Sequence, residues 1–136
     1  MKLSQKILMI GVILYSLTSY GEQWDSVVMN DNSTVFLYDP TSVKRNGDTV
    51  QYWELTNYKE KLKSGNIVVG SSKSLIEVDC KKSRYRNLQV LDFEKEYGLG
   101  TLVNIDISGM TQWYPSEKGS VSSSMEDKIC SIGGEK

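Results

Sequence analysis

Short runs of alternating apolar and polar residues follow one another through most of the chain, and they are rich in β-branched and aromatic side chains. A period of two is typical of strands that bury one face, and these residue types favour strands. The runs predict strands at residues 24–29, 34–38, 49–58, 66–80, 85–93 and 101–107, with a short extended piece at residues 42–45. Because turn signals separate successive strands, the pattern predicts an antiparallel meander of about six strands.

The expected turns differ in how strongly the sequence specifies them. Asn46 and Gly47 predict a type I′ hairpin turn, because both central residues of that turn have positive φ. Residues 31–33 and 97–100 carry further turn signals, and residues 81–83 are expected to form a hairpin tip. Residues 59–65 are charged and break the alternation, so a solvated loop is expected there.

The period of the pattern changes near the C-terminus. Apolar residues four apart, which share one face of a helix, are Val121, Met125 and Ile129. Ser123 with Glu126 fits a capping box, Ser120 is the alternative N-cap, and Gly133 with Gly134 is expected to end the helix. The predicted fold class is α+β, mainly β: an antiparallel meander sheet of about six strands with one C-terminal helix packed on it.

The first 21 residues have the features of a secretory signal peptide. Lys2 and Lys6 precede an apolar run at residues 7–17, and Ser19 and Gly21 supply small residues for cleavage after residue 21. An uncleaved membrane anchor is the alternative, although polar residues close the run before the ~20 apolar residues that a span requires. Residues 22–136 then form one exported domain, in the periplasm, at the cell surface or secreted, with no stable membrane span after cleavage. No cysteine follows the apolar run, so no lipobox anchor is expected.

Charge and cysteine content narrow the choice of partners. Without its first 21 residues the chain keeps 14 of its 16 basic residues and all 17 acidic ones, so its formal net charge is −3 and no nucleic-acid partner is expected. Cys80 and Cys130 are expected to form a disulfide in an oxidising compartment, and closing this loop would stabilise the fold by about 4 kcal/mol. Two free thiols or a redox-active pair are the alternatives.

The residue types argue against an enzyme. The chain contains no histidine, so it cannot form a Ser-His-Asp or Cys-His site, and a zinc site loses its commonest ligand. It has no phosphate-binding glycine loop. Glu77 and Asp79 share one face of a strand and leave a carboxylate pair, as in glycosidases, as the remaining catalytic alternative. We therefore expect a non-catalytic binding protein without cofactor or metal.

The densest positive charge follows Cys80 and is formed by Lys81, Lys82, Arg84 and Arg86. In an extended chain Lys82, Arg84 and Arg86 point to the same side, where they could bind a sulfated glycan, an acidic host protein or lipid A phosphates. The alternative is a solvated strand face, partly neutralised by Glu77, Asp79 or the carboxylates of residues 92–96.

Two further surfaces could make contacts with a partner. Trp113 and Tyr114 are expected in a loop, where they are a possible exposed contact, although aromatic residues on a small sheet usually belong to the core. An unpaired edge strand is the other, since it can accept a strand from a partner.

The order of several short signals resembles the family of bacterial surface-adhesin protein E-like domains. These signals are Trp24, Tyr38-Asp39, Val43 before Asn46-Gly47, Trp53-x-Leu55-x-x-Tyr58, Ser72-Lys73, Glu77-x-Asp79-Cys80, Arg84-Tyr85-Arg86, Gly100, Trp113 and Cys130. The likeness covers nearly all of residues 22–136. Two departures from the family pattern are the missing lipobox cysteine and a longer segment after Trp113.

The resemblance implies one antiparallel sheet with a packed helix and a disulfide, export, and attachment to host matrix proteins such as vitronectin and laminin. Two alternatives have no host ligand. One is a periplasmic inhibitor of an enzyme such as a lysozyme, with residues 113–115 entering the active site. The other is a periplasmic protein with a structural or envelope-stress role.

Overall fold

The computed structural model describes residues 22–29 and 34–132, so the predicted signal peptide, the turn at residues 31–33 and the Gly133–Gly134 helix stop lie outside the described residues. Within these residues eight strands form one antiparallel sheet, and an α-helix, α1 (Val121–Ile132), packs on it. The strands are β1 (Asp25–Met29), β2 (Val35–Tyr38), β3 (Lys44–Asn46), β4 (Thr49–Ser64), β5 (Ile67–Asp79), β6 (Arg84–Phe93), β7 (Leu102–Asp106) and β8 (Tyr114–Pro115). Six of them follow the order β1-β2-β4-β5-β6-β7, which confirms the predicted α+β class and meander.

Three long central strands, β4, β5 and β6, carry interrupted strands along both outer edges. On the β4 edge, β2 pairs with residues 54–57 and β3 with residues 49–51, separated by a 3₁₀ turn at Pro40–Ser42. On the β6 edge, β7 pairs with residues 90–93 and β8 with residues 84–85, separated by a 3₁₀ turn at Ser108–Thr111. Each outer strand therefore covers only part of its long neighbour.

The hydrophobic core lies between one face of the sheet and α1. Alternation along the central strands directs Val50, Tyr52, Ile76 and Val78 toward the helix, and all four are buried. The helix contributes Met125 and Ile129, from the predicted apolar face, together with Cys130. A disulfide joins Cys80 to Cys130, with the two Cα atoms 6.0 Å apart, and confirms the predicted pairing.

The helix starts from its alternative N-cap. Ser120 Oγ accepts a hydrogen bond from the backbone N–H of Ser123 at 3.1 Å, and α1 begins at the next residue, Val121. The predicted capping box of Ser123 and Glu126 is therefore wrong, because both residues lie inside the helix. None of the helices in residues 22–29 and 34–132 is long and apolar enough to cross a membrane.

Two local predictions of loop structure are also wrong. Residues 59–64 continue β4 and pair with β5, where Leu62 faces Val69 and Ser64 faces Ile67. Residues 59–67 are exposed, so no buried face imposed an alternating pattern on this end of the hairpin. The first hairpin turn is shifted by one residue from the prediction: Asn46 pairs with Thr49, and of the central residues Gly47 and Asp48 only Gly47 has a positive φ.

The sheet face opposite α1 is covered at one end by the segment between β6 and β7. Buried Ser71 donates a hydrogen bond to the Lys95 carbonyl oxygen at 2.6 Å and accepts one from the Gly98 backbone N–H at 2.8 Å. The Asn57 side chain accepts a bond from the Tyr97 backbone N–H at 2.8 Å. A Cβ atom on Gly70 would lie 2.7 Å from the Glu94 carbonyl oxygen, so this close approach requires glycine.

Candidate binding surface

The basic cluster begins in the turn that joins β5 to β6, at the other end of the sheet face opposite α1. The hairpin register pairs Asp79 with Arg84 and Glu77 with Arg86. Because side chains two apart on a strand share a face, both acids and both arginines point to the same side of the sheet. The predicted common orientation of the two arginines follows from this register.

Each arginine is bound to a buried carboxylate. Arg84 Nε lies 3.2 Å from Asp79 Oδ2, and Arg86 contacts Glu77 Oε1 through Nε at 3.0 Å and Nη2 at 2.7 Å. Gln51, on the neighbouring strand β4, donates a hydrogen bond to Glu77 Oε2 at 3.1 Å. These contacts are the carboxylate neutralisation that the sequence left as the alternative reading of this cluster.

Asp79 is held in its charged form. Burial alone would raise the pKa of Asp79, but hydrogen bonds from the Lys82 backbone N–H and from Arg84, with the charge of Arg84, lower this pKa below its ordinary value. The Lys82 bond is 3.0 Å long and also fixes the turn between β5 and β6. The carboxylate therefore orders both the turn and the first arginine of β6.

Trp113 connects the two arginines. Its ring centroid lies 4.4 Å from Arg84 Cζ and 4.5 Å from Arg86 Cζ, within the range of cation–π contacts. The sequence predicted Trp113 and Tyr114 in one loop, but Tyr114 starts the short strand β8 and pairs with Tyr85. Tyr114 packs against the Tyr85 ring at a centroid distance of 5.8 Å, on the side of the helix, so the two aromatic residues point to different faces.

Lys81 and Lys82 lie in the turn beside this arrangement, and both are exposed. Neither lysine takes part in an ion pair between described residues. Among those residues Arg84 hydrogen-bonds through Nε, and its side chain is 35% exposed, so its two terminal amino groups remain available to a ligand. We call the set of Lys81, Lys82, Arg84, Arg86 and Trp113, with Glu77 and Asp79 beneath the arginines, the arginine–tryptophan surface.

The sequence did not identify Gln51, nor the contact of Trp113 with the arginines. Trp113 lies 27 residues beyond Arg86 along the chain, and only the pairing of β8 with β6 brings it there. Gln51 could have been found from its place on β4 opposite Glu77, once the β4–β5 register was known. Within the described residues, no group of histidine, cysteine, aspartate or glutamate side chains could hold a metal ion.

The fold is similar to solved structures of protein E of Haemophilus influenzae. The structure of its crystal form II has a TM-score of 0.66 and 13% sequence identity, and the match covers 82% of this chain and 90% of that one. A second structure of protein E has a TM-score of 0.64, also at 13% identity, with 81% and 86% covered. At this identity the likeness concerns the fold. No curated protein sequence matches the chain.

The sequence also matches a protein family over most of its length. A model of the family described as surface-adhesin protein E matches residues 24–131, from the residue before β1 to the last turn of α1. The match includes every element of the sheet, both cysteines and the whole arginine–tryptophan surface. The chain therefore belongs to the surface-adhesin protein E family.

Proposed function

We propose that the protein is an exported, non-catalytic adhesin that attaches to host matrix proteins or to sulfated glycans through the arginine–tryptophan surface. Family membership supports the adhesin class. The observation that carries the choice of site is the contact of Arg84 and Arg86 with one tryptophan ring, beside two exposed lysines without an ion-pair partner among the described residues.

The geometry favours a ligand with regularly spaced anionic groups. The carboxylates and the Trp113 ring hold both guanidinium groups in place. The arginine side chains therefore lose less conformational entropy when a ligand binds than free side chains would. The two acids balance the two arginines, and Lys81 and Lys82 add the net positive charge. Sulfate or carboxylate groups can hydrogen-bond to the free Arg84 amino groups. The exposed lysines add an electrostatic attraction to these anions, which dissolved salt weakens.

The inhibitor alternative has less support. An inhibitory loop must be free to enter an active site, whereas Tyr114 and Pro115 pair with β6 and Trp113 lies against the arginines. A structural role in the periplasm would not require the two exposed lysines, Lys81 and Lys82. Binding measurements and cell fractionation distinguish these roles, because an adhesin must both bind its ligand and reach the cell surface.

The test is binding of the oxidised protein to immobilised vitronectin, laminin and heparin across a salt series. We expect binding that weakens as salt rises, and a loss of about tenfold or more at low salt when Lys81 and Lys82 are both replaced by glutamate. Trp113→Leu should weaken binding as well, since it removes the ring against which both guanidinium groups pack. The arginines are poor choices for charge reversal, because a glutamate beside buried Asp79 or Glu77 would destabilise the fold.

The matched control reverses the charge of Lys59 and Lys61 instead, which changes the net charge equally. These exposed lysines lie toward the β4–β5 turn, opposite residues 70–71 of β5, and are about 30 Å from the β5–β6 turn by strand length. Equal losses in the two double variants would indicate non-specific charge attraction and reject the proposed site. No binding at low salt to any of the three ligands would reject the adhesin proposal.

A further inference from the structure

A cavity of about 310 Å³ opens on the helix-bearing face of the sheet, opposite the face that carries the arginine–tryptophan surface. Its floor is formed by β4, β5 and β6, and Val121 and Ser122 in the first turn of α1 form part of its wall. The lining includes Tyr52, Ile76 and Val78 of the core, and it continues along the strands to Glu54 and Ser74. A volume near 300 Å³ is at the lower end for ligand pockets and suits a small molecule.

The cavity combines aromatic walls with a single charged group. Four rings line it, those of Phe36, Tyr52, Tyr58 and Tyr85. Among the described residues Glu54 is the only acidic residue in the lining, and no lysine or arginine belongs to it. The remaining positions are hydroxyl, amide and aliphatic side chains. Such a lining disfavours an anion and places several aromatic side chains beside a bound cation.

Glu54 differs from the carboxylates on the opposite face in having no cationic partner among the described residues. Glu77 and Asp79 each bind an arginine, whereas the hydrogen bond to Glu54 comes from the Tyr52 hydroxyl, at 2.8 Å. Burial of a carboxylate is offset by an opposite charge or by several hydrogen-bond donors. One tyrosine hydroxyl is neither of these, and a cationic ligand would supply the opposite charge.

We propose that this cavity is a binding site for a small organic cation, an ammonium group with short alkyl substituents. Glu54 is its counter-ion and the aromatic rings are its walls. A quaternary ammonium group suits such a lining because it spreads its charge over methyl groups that contact ring faces without requiring hydrogen bonds. The site is independent of the proposed adhesion surface, and its ligand can bind whether or not the protein is an adhesin.

Choline and its neutral carbon analogue 3,3-dimethylbutan-1-ol provide the test, because they share a shape and differ in charge. In calorimetric titrations of the oxidised protein, we expect choline to bind saturably, and the neutral alcohol to bind about tenfold more weakly or not at all. Glu54→Gln keeps the size of the side chain and should weaken choline binding at least about tenfold. Glu60→Gln, on the exposed end of the same strand, should leave it unchanged.

A pH series gives a second readout that a merely structural role of Glu54 would not produce. Burial raises the pKa of Glu54 to about 7, and the titratable groups of the lining are Glu54 and the three tyrosines. Choline keeps its charge throughout, so its affinity should rise about tenfold between pH 6 and pH 8 as the carboxylate ionises. Equal binding of choline and the alcohol, binding unaffected by Glu54→Gln, or no saturation at about 10 mM choline would each overturn the proposal.

Discussion

Three glutamate and aspartate side chains of the central strands behave differently because their neighbours differ. Asp79 and Glu77 face arginines across the β5–β6 pair, and the pKa of Asp79 is lowered. Glu54 faces a tyrosine hydroxyl and aromatic rings, and burial raises its pKa from 4.5 to about 7, although the bond from Tyr52 offsets part of that rise. The neighbours of a carboxylate on these strands therefore decide whether its pKa lies above or below the ordinary value.

The raised pKa of Glu54 makes the protein less stable as pH rises. The contribution of this group is fully present below its unfolded pKa near 4.5 and is lost as pH rises through its folded pKa near 7. The difference corresponds to at most about 3 kcal/mol. Urea unfolding at a series of pH values should show this decline in the wild type, and Glu54→Gln should flatten the curve in that window.

Two features keep this prediction specific to Glu54. Asp79 acts in the opposite sense and at lower pH, since stability that depends on a lowered pKa is lost only as pH falls below about 4. Glu60→Gln, at the exposed end of β4, should leave the pH profile as it is in the wild type. If the Glu54→Gln profile runs parallel to the wild-type profile between pH 4.5 and 7, the assignment to Glu54 is wrong.

Among the elements, the segment from β6 to β7 depends on a few buried polar contacts. Ser71 and Asn57 bind three of its backbone groups, at Lys95, Tyr97 and Gly98. The pairing of β5 with β6 ends at Ser71 and Phe93, and these contacts hold the segment that follows it. A buried backbone N–H without an acceptor costs about as much as a lost hydrogen bond, so each contact contributes to the stability of this segment.

Ser71→Ala tests this arrangement. The variant removes the acceptor of the Gly98 N–H and the donor to the Lys95 carbonyl, so we expect the free energy of unfolding to fall by about 1–3 kcal/mol. Ser64→Ala, at an exposed position of β4, is the matched control and should change it by less than about 0.5 kcal/mol. Equal effects of the two substitutions in urea titrations would contradict the proposed role of Ser71.

The sequence predicted elements well wherever one face is buried. Val50 and Tyr52 on β4, and Met125 and Ile129 on α1, carry clear periods of two and nearly four. The end of β4 at residues 59–64 is exposed on both faces. Charged residues are compatible with a strand there, but they leave no alternating pattern from which the strand could be predicted. For the candidate site, alternation placed Arg84 and Arg86 on one side, but their pairing with Asp79 and Glu77 needed the register, and the contact with Trp113 needed the tertiary fold.

Across the whole molecule, the two sheet faces are stabilised in different ways. One face packs an apolar helix, and the other carries ion pairs at one end and hydrogen bonds to the β6–β7 segment at the other. The disulfide lies between the features of the two faces, because Cys80 follows Asp79 directly and Cys130 lies in the last turns of α1. Residue 79 holds the first arginine on one face while residue 80 holds the helix on the other.

Removing the disulfide should reduce stability without changing the sheet. Closing a loop over a sequence separation of 50 lowers the entropy of the unfolded chain by an amount equivalent to about 4 kcal/mol. We expect the Cys80→Ala, Cys130→Ala double variant to lose about that much in urea unfolding. Reduction of the wild type should produce a similar loss and leave the double variant unaffected. A loss under about 1 kcal/mol in both experiments would show that α1 is held by packing alone.

The bond between Cys80 and Cys130 also sets how far the chain can be drawn out by force. Tension on the two chain ends runs to Cys80, crosses the bond and continues from Cys130, so the 50-residue separation between them contributes no length. Fully extended, that segment would add about 170 Å. It contains β6, β7, β8 and the lysines, arginines and tryptophan of the arginine–tryptophan surface, so this part of the molecule is shielded from stretching even after the preceding strands have been pulled away.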